Sequence, residues 1–353
     1  MSDVTADALA AYLPGRLGPD VEVTDLLEHV EGWSRDTVSF TASWDDDGER
    51  RARRLVVRAE SDAQVDGRGT EGNDIETEFR TMDAAQTAPV PVPETLWYED
   101  DVDVLGGRFF VVEHLPGDAP VVWDPRERQE LYEAWDDPDR SLPEQFVDAA
   151  VGVHEIDPGD ADFESVSPDE VVDREIDRWE SVYREAADVL RAEPAVEEAL
   201  RWFRANRPTV LETTLVHGDF RIGNMLVDGD DLTGVLDWEF ARAGDPLYDL
   251  GYASTYFFAG KLIEPTERPE LACSLLEREW FYDEYERRSG RRVDRDRVRY
   301  WRAFSAFVML TIGLDGVRRF HEGETDDVRS AWFQYVVPGL VEDLLAIVRE
   351  DRT

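Results

Sequence analysis

A single cysteine, Cys273, leaves no partner for an intrachain disulfide in this chain of 353 residues. Lysine is equally scarce: Lys261 stands alone, and every other basic residue is arginine. The N-terminus lacks the basic and apolar stretch of an export signal. No uninterrupted apolar run approaches the roughly 18 residues of a membrane-spanning helix. His154 has no second histidine or cysteine at ligand spacing, so zinc is not expected. Positive charge is the larger deficit, with 38 basic residues against 80 acidic ones and a formal net charge of −42. That balance disfavours nucleic acid or an anionic membrane as partner. These absences together predict a soluble, cytoplasmic protein, and they say nothing of its oligomeric state.

What is present points to a folded chain. Apolar residues make up 42% and include 11 Trp and 16 Phe, enough for a packed core despite the charge. The acidic excess runs the whole length and forms no tail, which predicts adaptation to high salt. At molar salt the Debye length falls to about 3 Å, so self-repulsion is muted.

Periodicity divides the chain. Asp7–Leu17 has the apolar spacing of a short helix and is followed by an extended stretch. Val38, Phe40, Ala42 and Trp44 alternate as a half-buried strand, Asp45-Asp46-Asp47-Gly48 signals a hairpin, and Leu55–Arg58 continues as its second strand. Ser61–Gly72 reads as a polar loop. Ile75, Phe79 and Met82 fall at helical spacing within Asp74–Gln86. Pro89, Pro91 and Pro93 then force an extended connection. Thr95–Tyr98 and Arg108–His114 read as two further strands. Beyond Leu115-Pro116-Gly117-Asp118 the pattern is mainly helical. Ser167-Pro168-Asp169-Glu170 opens one helix, and Leu247–Phe258, Pro269–Arg288, Val293–Phe320 and Val328–Arg349 are predicted as others.

The densest chemistry lies in Leu215–Tyr252. His217-Gly218-Asp219 places a carboxylate after a tight turn, Asn224 follows five residues later, and Asp237 ends the apolar run Val235-Leu236. A hairpin signal, Asp228–Asp231, lies between. One group to orient and deprotonate a hydroxyl and two oxygen ligands for magnesium are what phosphoryl transfer from a nucleotide requires.

The three linked motifs, His217-Gly218-Asp219-Phe220-Arg221-Ile222-Gly223-Asn224, Val235-Leu236-Asp237 and Gly244-Asp245-Pro246-Leu247-Tyr248-Asp249-Leu250, resemble the aminoglycoside phosphotransferase family, relatives of protein kinases that phosphorylate small molecules. The wording is similar to a branch that includes the kinase-like domains of some acyl-CoA dehydrogenases. The resemblance implies an α+β, bilobal protein-kinase-like fold. Residues 1–114 would form a small antiparallel-sheet lobe with one helix, and residues 115–353 a larger, mainly helical lobe. It also implies ATP or GTP as donor, Mg²⁺ as cofactor and a small-molecule alcohol as acceptor.

Under that resemblance Asp219 is the expected catalytic base, and Asn224 and Asp237 the expected metal ligands. His217 and Asp249 are expected to shape the loop. Arg221, Glu239 and Asp245 are expected either to contact substrate or to pack. Such folds carry a lysine on the third strand, held by a helix glutamate. Here that strand reads Arg54-Leu55-Val56-Val57-Arg58-Ala59, so Arg58 is the matching cation. Glu78 is its expected partner, and Glu76 competes. Gly32-Trp33-Ser34-Arg35 resembles the loop over the phosphates, with Ser34 as its contact. Backbone groups around Glu113-His114-Leu115 would read the base, which makes Glu113 and Leu115 nucleotide-binding candidates. Antibiotic modification and a nucleotide-binding pseudokinase are the competing functions.

Overall fold

Five antiparallel strands in the order β1-β2-β3-β5-β4 make the largest sheet in the computed structural model, which describes residues 4–29, 35–60, 72–261 and 266–349. The strands are β1 (Glu22–His29), β2 (Arg35–Asp46), β3 (Glu49–Glu60), β4 (Thr95–Glu99) and β5 (Phe109–Glu113). Helix α1 (Ala6–Tyr12) precedes the sheet and α2 (Ile75–Ala85) follows β3. The turn at Asp47 and Gly48, both with positive φ, lets Asp46 pair with Glu49 and sets the register in which Val38 faces Val57 and Thr37 faces Arg58.

Period two then sorts the side chains. Leu55, Val57 and Ala59 point to one face with Val38, Phe40, Phe109 and Val111, and Leu9 and Leu13 cover that core. Arg58, one residue out of phase, is sent to the opposite face. Phe110 lies on that face too, and its ring meets Phe79 of α2 at 5.7 Å. Asp74 caps α2 by accepting from the Thr77 N–H at 2.8 Å.

The chain divides into two units. The first comprises Met1–Thr87, Val92–Pro116 and Asp237–Phe240, and the second comprises Ala88–Pro91, Gly117–Leu236 and Ala241–Thr353. The short segment after Leu236 therefore belongs with the sheet.

The second unit is mainly helical: α3 (Pro125–Asp136), α4 (Ser141–Glu155), α5 (Pro168–Val189), α6 (Pro194–Ala205), α7 (Leu247–Ala253), α8 (Arg278–Ser289), α9 (Arg295–Glu322), α10 (Val328–Trp332) and α11 (Val337–Arg349). Three two-stranded ladders interrupt the helices: β6 (Thr214–Val216) with β9 (Arg242–Gly244), β7 (Met225–Asp228) with β8 (Asp231–Val235), and β10 (Leu271–Ala272) with β11 (Leu276–Glu277). Helix α9 runs through the core, where Trp301, Phe304 and Phe307 are buried and Trp301 packs edge-on against Tyr248 of α7.

Three expected helices differ. Pro269–Arg288 begins as the β10–β11 hairpin, because Cys273 and Ser274 adopt left-handed φ of 51° and 59° and a helix cannot pass through them. Leu247–Phe258 stops at Ala253. Val328–Arg349 is broken by a 3-10 turn at Phe333–Tyr335, and Pro338 fits because it falls in the first turn of α11. The loop expected at Ser61–Gly72 and the phosphate loop through Ser34 lie outside the described residues, apart from Gly72 and Arg35.

Candidate active site

In the second unit, β6 delivers His217-Gly218-Asp219 into a turn that ends at Asn224. Gly218 has a φ of +82°, which a side chain would strain. The turn is held from below by Asp249 of α7, a fully buried carboxylate. Its Oδ2 accepts from the His217 N–H at 2.7 Å, and its Oδ1 from the Gly218 N–H at 2.9 Å. His154 of α4 adds Nε2 at 3.0 Å, and the Tyr285 hydroxyl sits 2.7 Å from its Nδ1. Burial raises the Asp249 pKa, but the His154 bond, the nearby His217 and the backbone donor outweigh it and hold it below the ordinary carboxylate value. His154 is therefore a core histidine with both nitrogens occupied.

His217 has a defined tautomer. The Asp219 N–H donates to its Nδ1 at 3.3 Å, so Nε2 carries the proton and donates to the Leu236 carbonyl at 2.9 Å. The Leu236 N–H in turn donates to the Asn224 carbonyl at 2.8 Å. The loop is thus tied to the residue immediately before Asp237.

Asp219 emerges with both oxygens oriented. Oδ1 accepts from Arg221 Nε at 3.1 Å, and Oδ2 from Asn224 Nδ2 at 2.7 Å. Asn224 Nδ2 also donates to the Asp219 carbonyl at 2.9 Å. Two acceptors on the nitrogen fix the orientation of the amide and turn its Oδ1 away from Asp219. A neutral amide oxygen is suited to a hard cation such as Mg²⁺. Arg221 lies back over the loop, where a Cβ on Gly223 would fall 2.2 Å from its Nη1. Its guanidinium also sits 5.5 Å from the Phe258 ring.

The first unit holds the second group of candidates. Arg58 Nε is 2.9 Å from Glu78 Oε1, and its Nη2 donates to Asp237 Oδ1 at 2.6 Å. Glu76 instead pairs with Arg80 one turn along α2, so Glu78 is the partner of Arg58. Glu78 is fully buried and takes a second guanidinium: Arg35 Nε donates to its Oε2 at 3.2 Å. Arg35 Nη2 reaches the Asn73 carbonyl at 2.6 Å, and the Asn73 N–H donates to the Glu239 carbonyl. Burial disfavours the charge on Arg58, but Glu78, Asp237 and Glu239 overcome that and hold its pKa above the usual value. Burial likewise pushes the Glu78 carboxyl up, against the pull of Arg58 and Arg35. Asp237 itself has a φ of 66°, a left-handed conformation that a short polar residue tolerates. Asp237 is an oxygen donor on an exposed edge of this network, with 27% of its side chain accessible.

The remaining candidates separate. Glu239 is buried in the first unit, its carbonyl bonded to Asn73 and its charge felt by Arg58, so it packs against the network. Asp245 is also spent on packing. Its Oδ1 accepts from the Leu247 N–H at 3.0 Å and its Oδ2 from Trp301 Nε1 at 2.7 Å, with Arg297 at 3.5 Å. Glu113 ends β5, with its N–H donated to the Glu94 carbonyl at 3.0 Å. Leu115 follows in irregular backbone that forms no ladder. Sequence reasoning noted Arg35 only as part of a loop. Its pairing with Glu78 joins residues 43 apart, and no local pattern signals it.

The sequence pattern of the phosphotransferase enzyme family matches residues 26–301. Acyl-CoA dehydrogenase family member 10 of Mus musculus is 28% identical over 265 residues, covering 72% of this chain and 22% of that protein. The chain thus spans about a fifth of that relative's length. A solved structure from Ralstonia eutropha, classed as an aminoglycoside phosphotransferase, superposes with a TM-score of 0.70 at 21% identity and covers 99% of both chains. A thermostable mutant of aminoglycoside phosphotransferase APH(4)-Ia, in ternary complex with AMP-PNP and hygromycin B, gives a TM-score of 0.55 at 23% identity, covering 96% of this chain and 99% of that one. At such identities the two structures establish the kinase-like α+β fold, and the family match establishes the rest: the chain belongs to the phosphotransferase enzyme family.

Proposed function

We propose that this chain transfers the γ-phosphate of ATP or GTP to a hydroxyl of a small molecule, with Asp219 as the base. The observation that carries the reading is the carboxylate of Asp219, fixed by Arg221 and Asn224 on a loop braced by Asp249. Each of its oxygens has accepted one protein hydrogen bond and retains a lone pair for an acceptor O–H. Holding the carboxylate in one orientation reduces the entropic cost of reaching the reactive geometry.

In the transfer, the acceptor oxygen bonds to the γ-phosphorus. The bond from that phosphorus to its bridging oxygen breaks, and its electrons remain on the nucleoside diphosphate. The hydroxyl proton passes to Asp219. Asn224 Oδ1 and the carboxylate of Asp237 are the oxygen donors that would hold Mg²⁺, which when bound neutralises charge on the phosphates. Arg58 takes the place of the strand lysine and offers a planar fork to phosphate oxygens. Leu115 and Glu113 offer backbone groups to the base. The complex of a fold relative with AMP-PNP supports a nucleoside triphosphate donor.

The alternative reading is a nucleotide-binding module without transfer. The missing strand lysine favours it, as does the engagement of Arg58 with Asp237. Incubating the chain with Mg²⁺, ATP or GTP and a panel of alcohols separates the two. The proposal expects nucleoside diphosphate and a phosphorylated product, and it expects Asp219→Asn to lose about 10²–10⁴-fold in turnover. Nucleotide binding with no turnover, under every acceptor tested, would establish the alternative.

A further inference from the structure

Among the described residues, two buried acids take no part in the groups above: Asp343, which faces Lys261, and Glu175. Glu175 stands on the apolar stripe of α5, between Val172 and Trp179 and beside Ile176, where the helical period calls for a hydrophobic side chain. It is joined there to Arg242 of β9. Arg242 Nε donates to Glu175 Oε1 at 2.6 Å and Nη2 to Oε2 at 2.8 Å, a two-bond fork. Burial disfavours the charge on Arg242, but Glu175 and Asp249 outweigh it and hold its pKa above the usual value. Replacing such a pair by apolar residues of similar volume often leaves stability unchanged or raises it. Stability alone therefore does not account for a carboxylate at this position.

What Arg242 touches points to the catalytic loop. In the β6–β9 ladder Arg242 lies opposite Val216, the residue before His217-Gly218-Asp219. A Cβ on Gly244 would fall 2.9 Å from Val216 Cγ2, so the two strands are closely seated. The guanidinium of Arg242 lies 4.3 Å from the centre of the Tyr248 ring. Tyr248 precedes Asp249, which accepts from the His217 and Gly218 N–H groups. One side chain thus bears on both supports of the loop, the strand that leads into it and the helix that carries its buried acceptor. Helix α5 is the anchor, with Val171, Ile176, Trp179 and Tyr183 buried. A planar fork fixes direction as well as distance, which a pair of apolar side chains does not.

We propose that Glu175 and Arg242 are a positioning pair: the fork fixes Arg242 against α5, and Arg242 seats β6 and α7 so that the loop holds Asp219 in its reactive orientation. Both residues act through the loop and not on the substrate. This rests on the phosphotransfer reading for the role of Asp219, while the order of the loop can be measured without turnover.

The test replaces the fork by apolar side chains of similar size, Glu175→Leu with Arg242→Met, which leaves the net charge unchanged. A cavity of about 220 Å³, lined by both residues with Phe163, Val166 and Val171, gives the new side chains room. The full chain is studied in molar KCl by thermal melting, by residue-resolved amide exchange without nucleotide, and by ADP release from Mg²⁺-ATP with water or the panel alcohols as acceptor. Positioning predicts a melting temperature close to the parent's, His217 and Gly218 amides that exchange at least about tenfold faster, and unaltered protection at Phe304 in α9. It predicts a kcat about 10- to 100-fold lower, with the nucleotide KM changed less than about twofold. Arg242→Lys keeps the charge and loses the fork, and should fall between the parent and the double variant in both readouts. Glu175→Gln, which keeps the shape and one acceptor, takes the place of the double variant if that fails to fold. Unchanged loop exchange, unchanged kcat in an active parent, or protection lost equally in α9 and the loop overturns the role of the pair. A parent without turnover whose loop loosens as predicted keeps the loop assignment and loses the phosphotransfer reading. An active parent whose variants match it in kcat and exchange keeps the reading and loses the pair.

Discussion

Two buried carboxylates, Glu78 of the first unit and Asp249 of the second, are satisfied in opposite ways. In the first, Arg35, Arg58, Glu78 and Asp237 satisfy one another as two cations and two anions on one side of a sheet. In the second, Asp249 is satisfied by two backbone N–H groups and a histidine, with no arginine among the described residues in its shell of hydrogen bonds. The first arrangement can exchange partners: phosphate oxygens can replace carboxylates around Arg58, and a cation can replace Arg58 at Asp237. The second cannot, because two of its donors belong to the loop backbone and the third to a buried histidine. Under the proposed function, the first network would serve adaptable nucleotide binding and the second a fixed geometry for the base.

Breaking the fixed brace should have the largest effect. Asp249→Ala leaves two buried N–H groups and His154 without their acceptor, a loss of roughly 3–5 kcal/mol by analogy with broken buried pairs. Denaturant unfolding measures it. The Asp249 pKa is depressed in the folded state, so its contribution is present above the unfolded value of about 3.9 and disappears as pH falls through the folded value. Asp249→Asn should remove this part of the acid limb from a stability–pH profile while leaving the neutral limb unaltered in shape.

The exchangeable network should respond in binding more than in stability. Arg58→Ala should raise the nucleotide KM about 10- to 100-fold, the range expected for a charge-assisted hydrogen bond. Arg54→Ala, at an exposed position on the same face of the strand and four residues before Arg58, should change it by no more than about twofold. Arg35 acts one step removed, by holding Glu78. Arg35→Gln should raise the nucleotide KM about three- to tenfold with kcat altered less. Steady-state kinetics over a nucleotide titration checks all three.

Salt gives the smallest difference between the units and sharpens the comparison. With a net charge of −42, melting temperature should climb from low to molar KCl as surface repulsion is screened. The Arg58 and Asp249 effects should survive that change, because both groups are largely shielded from solvent. A melting profile flat in KCl would remove the high-salt reading of the composition.

Much of this was legible without coordinates. Alternation in Thr37–Trp44 marks a half-buried strand, and the Asp45–Gly48 turn fixes which residues share its face, so Arg58 can be placed opposite Val57. The spacing of Asp219, Asn224 and Asp237 likewise marks the candidate site, because phosphoryl transfer constrains residue types locally. Long-range pairing is not local. His154 meets Asp249 across 95 residues, and Arg35 meets Glu78 across 43. The β10–β11 hairpin was hidden for another reason. Leu271–Leu276 is nearly continuous apolar sequence, which suits a buried helix and a buried strand equally, and the left-handed turn uses Cys273 and Ser274 where glycine would have signalled it. Asp245 lies beside the motifs in sequence, but its carboxylate is taken up by the Leu247 N–H and the Trp301 indole.

The most direct test compares Asp219→Asn with Arg58→Ala in the same two assays, calorimetric binding of Mg-nucleotide and turnover at saturating nucleotide. The account predicts that Asp219→Asn binds nucleotide as the parent chain does and loses about 10²–10⁴-fold in turnover. It predicts that Arg58→Ala loses chiefly affinity, with the smaller loss at saturation. Near-normal turnover of Asp219→Asn, or the same pattern of loss in both variants, would contradict the division between a fixed base and an exchangeable nucleotide network.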